Sequence, residues 1–238
     1  MDDKRTELVY ILDMSGSMRE LARDTIGGYN SLLDAQRKVG EADPEMKASV
    51  TTVLFDDRYI ILHDRKDIRE VADITEKEYC PRGMTAMLDA VGRTITHVGQ
   101  ELAAMPEAER PGLVSVTIVT DGYENASREY TWNAVQAMIR EQREKYSWVF
   151  AFIGANIDVE RASESLGIDS RLAKAYTASS AGTQSVYTSV SNGVTRMRGV
   201  SASTSTSAQV AKGKTAAASW ATADSLTEAM AEELDGIQ

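Results

Sequence analysis

Apolar positions along the chain follow two alternating patterns. Leu8–Leu12 is a continuous apolar run ended by a polar loop, which predicts a central strand covered on both faces. Leu113–Val119 and Trp148–Ile153 predict two more buried strands. Between these runs, apolar residues recur at three- and four-residue steps, which predicts helices that lie on a sheet. The first two stripes consist of Met18, Leu21, Ala22, Ile26, Tyr29, Leu32 and Leu33, and of Leu88, Val91, Ile95, Val98 and Leu102.

A hairpin interrupts the alternation early in the chain. Val50–Phe55 and Tyr59–Leu62 are rich in β-branched residues, and the connection between them is short enough only for an antiparallel pair. The alternation then continues with helices near 132–139 and 159–166, a weaker strand near 175–178 and a helix over 186–197. The pattern predicts an α/β fold with a doubly wound, mostly parallel sheet of about six strands and one antiparallel edge strand.

The composition changes near residue 200, so we predict an α/β domain over 1–200 and a tail over 201–238. From Val200 to Thr222 the chain is rich in Ser, Thr, Ala and Gly, which predicts a flexible segment with little apolar area to bury. Apolar residues at helical spacing behind it predict a short acidic amphipathic helix, either docked on the domain or bound by another molecule. These residues are Leu226, Met230, Leu234 and Ile237. We expect removal of the tail to change stability little, with Trp220 and Leu226 as anchors if the helix docks.

Length, charge and cysteine content narrow the classes of function. The 238 residues suffice for one medium domain with an appendage. The 26 basic and 36 acidic residues leave a formal charge of −10, which repels phosphate backbones and anionic membrane surfaces, so nucleic acid is not an expected partner. The apolar runs are far shorter than the roughly 20 residues that span a bilayer. Cys80 has no second cysteine to pair with, and no apolar leader follows Met1, so we expect a cytoplasmic protein without a membrane segment.

Five oxygen-bearing side chains stand at predicted junctions into helices. They are Asp13, Ser15 and Ser17 after the first strand, Thr85 before the second helical stripe, and Asp121 after the strand 113–119. Ligands of open α/β sheets lie outside the carboxyl ends of strands where the winding reverses, so Asp13 and Asp121 flank this crevice if their strands are neighbours. Hydroxyls and carboxylates without a thiolate or an imidazole suit a hard cation, and a near-octahedral arrangement favours Mg²⁺ or Mn²⁺ over zinc.

The segments DMSGSM at 13–18, GMTAM at 83–87 and TDG at 120–122 resemble the metal-ion-dependent adhesion site (MIDAS) of von Willebrand factor A domains. The resemblance covers about residues 5–200 and implies the ligand roles. Ser15 and Ser17 then ligate the metal through their hydroxyls, and Thr85 ligates it directly or through water. Asp13 and Asp121 act mainly through bound waters or as acceptors that hold the hydroxyls in place. Met84 departs from the family pattern, in which many members carry Gly, and this departure leaves the tuning of the site open.

In that family the remaining coordination position takes a carboxylate from a partner, usually another protein. The resemblance therefore implies a metal-dependent protein-binding module whose partner presents an Asp or Glu side chain, and which is not an enzyme. The stretch GANIDVERASESLGI at 154–168 is also similar to small intracellular members from bacteria and their viruses. The sequence leaves self-association open.

Two other functions fit an Asp at the end of a first strand. The position also resembles the nucleophile of haloacid-dehalogenase-type phosphatases, although Ser15 stands where that chemistry needs an acid/base Asp. The other is a scaffold whose cation only stiffens the loops.

Three residues near the predicted site each have two interpretations. Asp89 either orients waters at the site or favours a helix start through the helix dipole, and Glu124 and Asn125 either contact a partner or are ordinary loop residues.

Overall fold

The computed structural model describes residues 1–210 and 223–235, with side chains for 1–203 and 224–235. The strands are β1 (Asp2–Asp13), β2 (Lys47–Phe55), β3 (Tyr59–Asp67), β4 (Pro111–Thr120), β5 (Val149–Gly154) and β6 (Ala173–Ala175). The helices are α1 (Ala22–Ala42), α2 (Met87–Ala104), α3 (Trp132–Tyr146), α4 (Val159–Leu166), α5 (Ser180–Val210) and α6 (Ala223–Leu234). Short 3₁₀ helices lie at Gly16–Leu21, Glu107–Glu109 and Ser170–Leu172. Within the described residues, no helix combines the length and apolar character needed to cross a membrane.

The six strands form one sheet in the order β3-β2-β1-β4-β5-β6. β3 is antiparallel to β2, and every other pair is parallel, which confirms the predicted doubly wound α/β sheet with one antiparallel edge strand. The chain winds outward from β1 to β3 and then returns to β4 and winds outward to β6. The direction of winding thus reverses between β1 and β4, whose carboxyl ends lie side by side with Leu12 opposite Val119.

Two layers of helices cover the sheet. One layer contains α1, α5 and α6, in which α5 packs against both other helices. The second layer contains α2, α3 and α4, in which α3 packs against both other helices. This division is expected because right-handed connections that wind outward in opposite directions place their helices on opposite faces of a parallel sheet. β1 lies in the middle, and its residues Leu8–Leu12 are at most 1% exposed. The central strand therefore holds its last residue, Asp13, against a rigid core.

The C-terminal part differs from the predicted tail. The boundary that we predicted at residue 200 falls inside α5, which runs to Val210. α6 occupies the position of the predicted amphipathic helix, and its residues Leu226, Met230 and Leu234 are fully buried. α5 and α6 approach closely at Gly193, where a built Cβ would lie 2.3 Å from the sulfur of Met230. α6 therefore docks, which is one of the two alternatives that the sequence left open, and its burial argues against the expectation that removal of the tail changes stability little. The remaining predicted flexible segment, residues 211–222 with Trp220, and also Ile237, lie outside the described residues.

Candidate metal centre

Asp13 forms the floor of the site at the end of β1. Its side chain is fully buried, and both carboxylate oxygens accept hydrogen bonds. Oδ1 accepts from the backbone N–H of Ser15 at 2.6 Å, and Oδ2 accepts from the hydroxyl of Thr120 at 2.6 Å. Thr120 ends the neighbouring strand β4, so the parallel pairing of β1 and β4 brings these two groups together. The carboxylate is thus fixed in orientation.

The loop after β1 carries the two serines. Ser15 is buried, and its Oγ lies 3.1 Å from Oγ of Ser17, which is exposed. Ser17 donates its hydroxyl hydrogen to Oδ1 of Asp121 at 2.5 Å. The loop is held from both sides, since Met14 N–H donates to Phe55 at the end of β2 and Gly16 N–H donates to the carbonyl of Gly83. Ser15, Ser17 and Asp121 therefore form one chain of oxygens across the crevice.

Thr85 comes from the loop before α2 and completes the set. Its backbone is paired with Asn125, because Thr85 N–H donates to Oδ1 of Asn125 at 2.9 Å and the Thr85 carbonyl accepts from Asn125 N–H at 3.0 Å. A Cβ built on Gly122 would lie 3.0 Å from Oγ1 of Thr85, 3.3 Å from Oγ of Ser17 and 3.8 Å from Oδ2 of Asp13. Three of the oxygens thus lie within 4 Å of one point, which a side chain at residue 122 would crowd. The structure brings all five predicted site residues together.

The electrostatics of the site are unfavourable without a cation. Burial raises the pKa of Asp13 to about 6, and the nearby negative charge of Asp121 adds to the rise, while hydrogen bonds from Thr120 and Ser15 oppose it. Burial also raises the pKa of Asp121, and the Ser17 hydroxyl opposes that rise. A divalent cation between the two carboxylates relieves both desolvation and mutual repulsion.

The donor set fits a hard cation. In the described part of the chain, no group of three or more His, Cys, Asp and Glu side chains is arranged to hold a metal. The oxygens here come instead from two carboxylates and three hydroxyls, at distances that place them around the space beside Gly122. Uncharged hydroxyl oxygens together with carboxylates are ligands that Mg²⁺ and Mn²⁺ accept readily. The residues present therefore fit the cation that the sequence predicted.

Two residues that the sequence analysis did not single out support Asp13. Thr120 donates to its side chain, and the buried Tyr79 donates its hydroxyl hydrogen to its backbone carbonyl. Thr120 stands directly before Asp121 in the TDG segment, so its place at the strand end was visible in the sequence. Tyr79 lies 66 residues from Asp13 along the chain, and no local pattern marks it.

Asp89, Glu124 and Asn125 prove to hold the loop that carries Asp121. The carboxylate of Asp89 accepts from the backbone N–H groups of residues 128, 129 and 130, each at 2.9 Å. The carboxylate of Glu124 accepts from Leu88 N–H at the start of α2, from the N–H groups of residues 126 and 127, and from the hydroxyl of Ser127. These contacts favour the structural interpretation of the three residues. The Asp121 loop is thereby tied to the helix that follows Thr85.

The site opens to solvent on the side of Ser17. A neighbouring cavity of about 220 Å³ shares Ser17 and Asp121 with the metal site, and Glu20 and Asp24 contribute further carboxylates to its wall. Among the five site residues, Ser17 alone is exposed, whereas the other four are at most 5% exposed. The arrangement is a largely buried anionic cup that is open at Ser17.

Comparison with known proteins concerns the fold. A scan of protein-family models and a search of curated proteins find no match. A von Willebrand factor type A structure from Catenulispora acidiphila matches with a TM-score of 0.52 at 14% identity, over 83% of this chain and 43% of the other. Manganese-loaded TRAP protein of Plasmodium vivax matches with a TM-score of 0.54 at 18% identity, over 77% and 73%. Proximal thread matrix protein 1 of the mussel byssus, with a zinc-occupied MIDAS motif, matches with a TM-score of 0.52 at 14% identity, over 80% and 46%.

The chain therefore has a fold of the von Willebrand factor A type, as the sequence predicted. It spans less than half the length of the mussel protein and of the Catenulispora protein. At these identities the likeness establishes the fold. The closer resemblance to small intracellular bacterial and viral members stays a prediction.

Proposed function

We propose that the chain is a metal-ion-dependent protein-binding module. Its five site residues hold one Mg²⁺ or Mn²⁺ ion, and the ion binds an Asp or Glu side chain of a partner protein. The observation that carries the proposal is the convergence of oxygens from three separate loops on the space beside Gly122. Such convergence is costly for a fold, because it buries two carboxylates next to each other, and a bound cation offsets that cost.

The roles of the side chains follow from their hydrogen bonds. Ser15, Ser17 and Thr85 offer neutral hydroxyl oxygens to the ion. Asp121 accepts from the Ser17 hydroxyl, and this bond would leave the lone pairs of Ser17 available to the ion. Asp13 is held by Ser15 and Thr120 and supplies the second negative charge. With only two carboxylates around it, the ion supplies an electrophilic position that attracts a further anion.

The structural neighbours support a divalent cation in this type of site. One is described as manganese-loaded, and another as having a zinc-occupied MIDAS motif. In the present chain the donors are oxygens alone, and zinc prefers sulfur and nitrogen ligands. This chemistry favours Mg²⁺ or Mn²⁺ here.

The phosphatase alternative is disfavoured by the surroundings of Asp13. A nucleophilic carboxylate needs access to its substrate, whereas the Asp13 side chain is fully buried and both of its oxygens are engaged. Ser15 also cannot serve as the general acid that this chemistry requires. The scaffold alternative is disfavoured by the exposure of Ser17, since an ion with a purely structural role has no need of an entrance.

The test compares metal binding with partner binding. Calorimetric titration with MnCl₂ should show one site in the wild type, and a crosslinked pull-down should recover a partner in Mg²⁺ but not in chelator. Thr85→Ala and Asp121→Ala should weaken both. Thr131→Ala is the matched control, because Thr131 also stands before a helix and accepts from Ala134 N–H, yet lies outside the site. It should cost the fold about 1 kcal/mol and leave metal binding unchanged.

The results distinguish the three functions. Absence of Mn²⁺ binding contradicts the metal site. Metal binding together with a complex that survives chelator supports the scaffold. Metal-dependent turnover of a phosphate ester that Asp13→Asn abolishes supports the phosphatase.

A further inference from the structure

The rim of the metal site carries two exposed apolar side chains. Among residues with described side chains, the exposed large hydrophobics are Met1, Met84, Tyr123 and Tyr146. Met84 is 52% exposed and directly precedes Thr85, and Tyr123 is 62% exposed and follows Gly122. Met1 and Tyr146 instead line a cavity at the opposite end of the sheet, where β4 begins. Two exposed apolar side chains beside one polar site require an explanation.

Met84 and Tyr123 belong to loops that lie side by side. The backbone of Thr85 pairs with Asn125 through two hydrogen bonds, and Gly122 lies against Oγ1 of Thr85. The two apolar residues therefore flank the same pair of site residues. We call Met84 and Tyr123 the apolar rim.

Tyr123 is held in place while its ring stays exposed. Its hydroxyl oxygen accepts a hydrogen bond from the backbone N–H of Asp158 at 3.1 Å, across the gap to the loop before α4. An aromatic side chain that is already ordered loses little entropy on binding, which is a property of interface residues that contribute much of the affinity. Met84 is flexible and polarisable and adapts to the shape of its contact.

The other side of the entrance repels an anionic chain. The cavity next to Ser17 is bordered by the carboxylates of Glu20, Asp24 and Asp121. A partner carboxylate that reaches the ion carries its own negative charge, so the adjoining partner residues are repelled from that cavity. Met84 and Tyr123 are exposed beside Thr85 and Gly122 and carry no charge of their own.

We propose that the apolar rim is the second half of the binding surface, and that the partner segment carries an apolar side chain next to its metal-binding Asp or Glu, packed on Met84 and Tyr123. This inference rests on the proposed function, because it assumes that a carboxylate reaches the ion. The rim adds contact area that a single ion–carboxylate contact lacks. It also gives specificity for those acidic residues that have an apolar neighbour.

The test selects peptides directly on the full chain. A display library of short peptides with a fixed central Asp and randomised flanks is bound in the presence of Mn²⁺ and released with EDTA. The expected result is that released peptides carry Leu, Ile, Met, Phe or Trp next to the Asp at least about fivefold more often than the input library. The selected peptide is then synthesised as the probe.

Single variants assign the selection to the rim. Tyr123→Ala and Met84→Ser should each weaken the probe about tenfold and leave Mn²⁺ affinity within error of the wild type. Tyr123→Phe keeps the ring and should lose only a small part of the affinity. Tyr146→Ala removes a comparably exposed tyrosine at the far end of the sheet and should have no effect.

The outcomes separate the two proposals. EDTA-released peptides that require the Asp but carry random or basic flanks overturn the rim while leaving the proposed function intact. Equal probe affinity in wild type and Tyr123→Ala does the same. Peptides whose binding depends on neither metal nor Asp overturn both proposals.

Discussion

Two buried carboxylates on the same strand differ in whether a positive charge of the chain balances them. Glu7 and Asp13 both lie in β1 and are both fully buried. Glu7 accepts from the hydroxyls of Ser49 at 2.6 Å and Thr51 at 3.0 Å and forms an ion pair with Arg65 at 3.1 Å. Burial raises the pKa of Glu7, and Ser49 and the charge of Arg65 counteract the rise. Its charge is thus balanced within the chain.

Asp13 has hydrogen bonds of similar quality but different electrostatic surroundings. Its neighbours are a backbone N–H, the Thr120 hydroxyl and a second carboxylate, Asp121, whose charge raises its pKa further. A protein of marginal stability tolerates such a pair where a ligand compensates for it, and buried groups with strongly perturbed pKa values cluster at functional sites for this reason. The contrast indicates that the charge of Glu7, in the middle of β1, is balanced within the chain, and it supports the proposed cation at the carboxyl end of the strand.

The largest expected effect comes from removing the positive charge of Arg65, which is paired with Glu7. Arg65→Met keeps the aliphatic length but leaves Glu7 buried without its partner, and should lower the free energy of unfolding by about 3 kcal/mol. Urea denaturation measures this change. The double variant Glu7→Gln/Arg65→Met should recover much of the loss, because it removes both charges. A loss that the double variant does not reduce would show that packing of Arg65, not charge balance, is what matters.

The second effect is the reverse experiment, in which a metal ion is added at the Asp13 site. Mg²⁺ or Mn²⁺ should stabilise the wild type by about 2.7 kcal/mol at a hundredfold excess over Kd, because the ion binds only the folded state. The Arg65→Met variant should gain the same amount, because Glu7 and Asp13 are roughly 20 Å apart along β1 and the two sites are therefore independent. Thermal melts with and without chelator give both values. An increment that Asp121→Ala retains would place the ion elsewhere.

The sequence predicted the sheet and the metal site from local signals. The apolar run at Leu8–Leu12 and the hairpin at 50–62 gave the central and edge strands, and the ligand residues follow strands or precede helices, where polar residues after apolar runs are conspicuous. The sequence left open whether the strands that end at Asp13 and before Asp121 are neighbours, and the sheet order shows that β1 pairs with β4. Contacts between distant parts of the chain, such as Tyr79 with Asp13, have no local signal.

The C-terminal region was harder to predict for a physical reason. Ser, Thr, Ala and Gly indicate flexibility when a segment is considered alone, because they bury little apolar area. Small residues also pack closely when a surface is at hand, as Ser201 does, which is 1% exposed and donates its hydroxyl hydrogen to the Asp3 carbonyl at 2.9 Å. Whether α6 docks depends on the groove that α5 and the sheet provide, and this groove is set by tertiary structure.

The third effect concerns the hydroxyl that orients Asp13. Thr120→Val keeps the β-branched shape but removes the hydroxyl that donates to Oδ2 of Asp13 at 2.6 Å and accepts from Gly122 N–H at 3.2 Å. It should cost about 1–2 kcal/mol in chelator, because the Asp13 carboxylate stays buried and both bonds are lost. It should also weaken Mn²⁺ binding, since Asp13 is free to rotate away from the ion. Thr117→Val is the matched control on the same strand, because the Thr117 hydroxyl is buried and has no partner in the described structure. That variant should leave Mn²⁺ affinity unchanged and should not reduce stability. Equal effects of the two variants on Mn²⁺ affinity would argue against a role for the Thr120 bond.

The smallest expected effect is the most direct test of the contrast between the two carboxylates. Asp121→Asn keeps an acceptor for the Ser17 hydroxyl and removes the repulsion with Asp13, so in chelator its stability should equal that of the wild type or exceed it by up to about 1 kcal/mol. In Mn²⁺ the variant should lose the stabilisation that the wild type gains. Glu7→Gln is the matched substitution of carboxylate by amide at the other buried acid. It should be destabilising with and without metal, because it leaves Arg65 unpaired. Chemical denaturation of both variants, each with and without chelator, gives the four values. If Asp121→Asn destabilises the metal-free protein as much as Glu7→Gln does, Asp121 is part of an internally balanced network, and the carboxyl end of the sheet has no need of a cation.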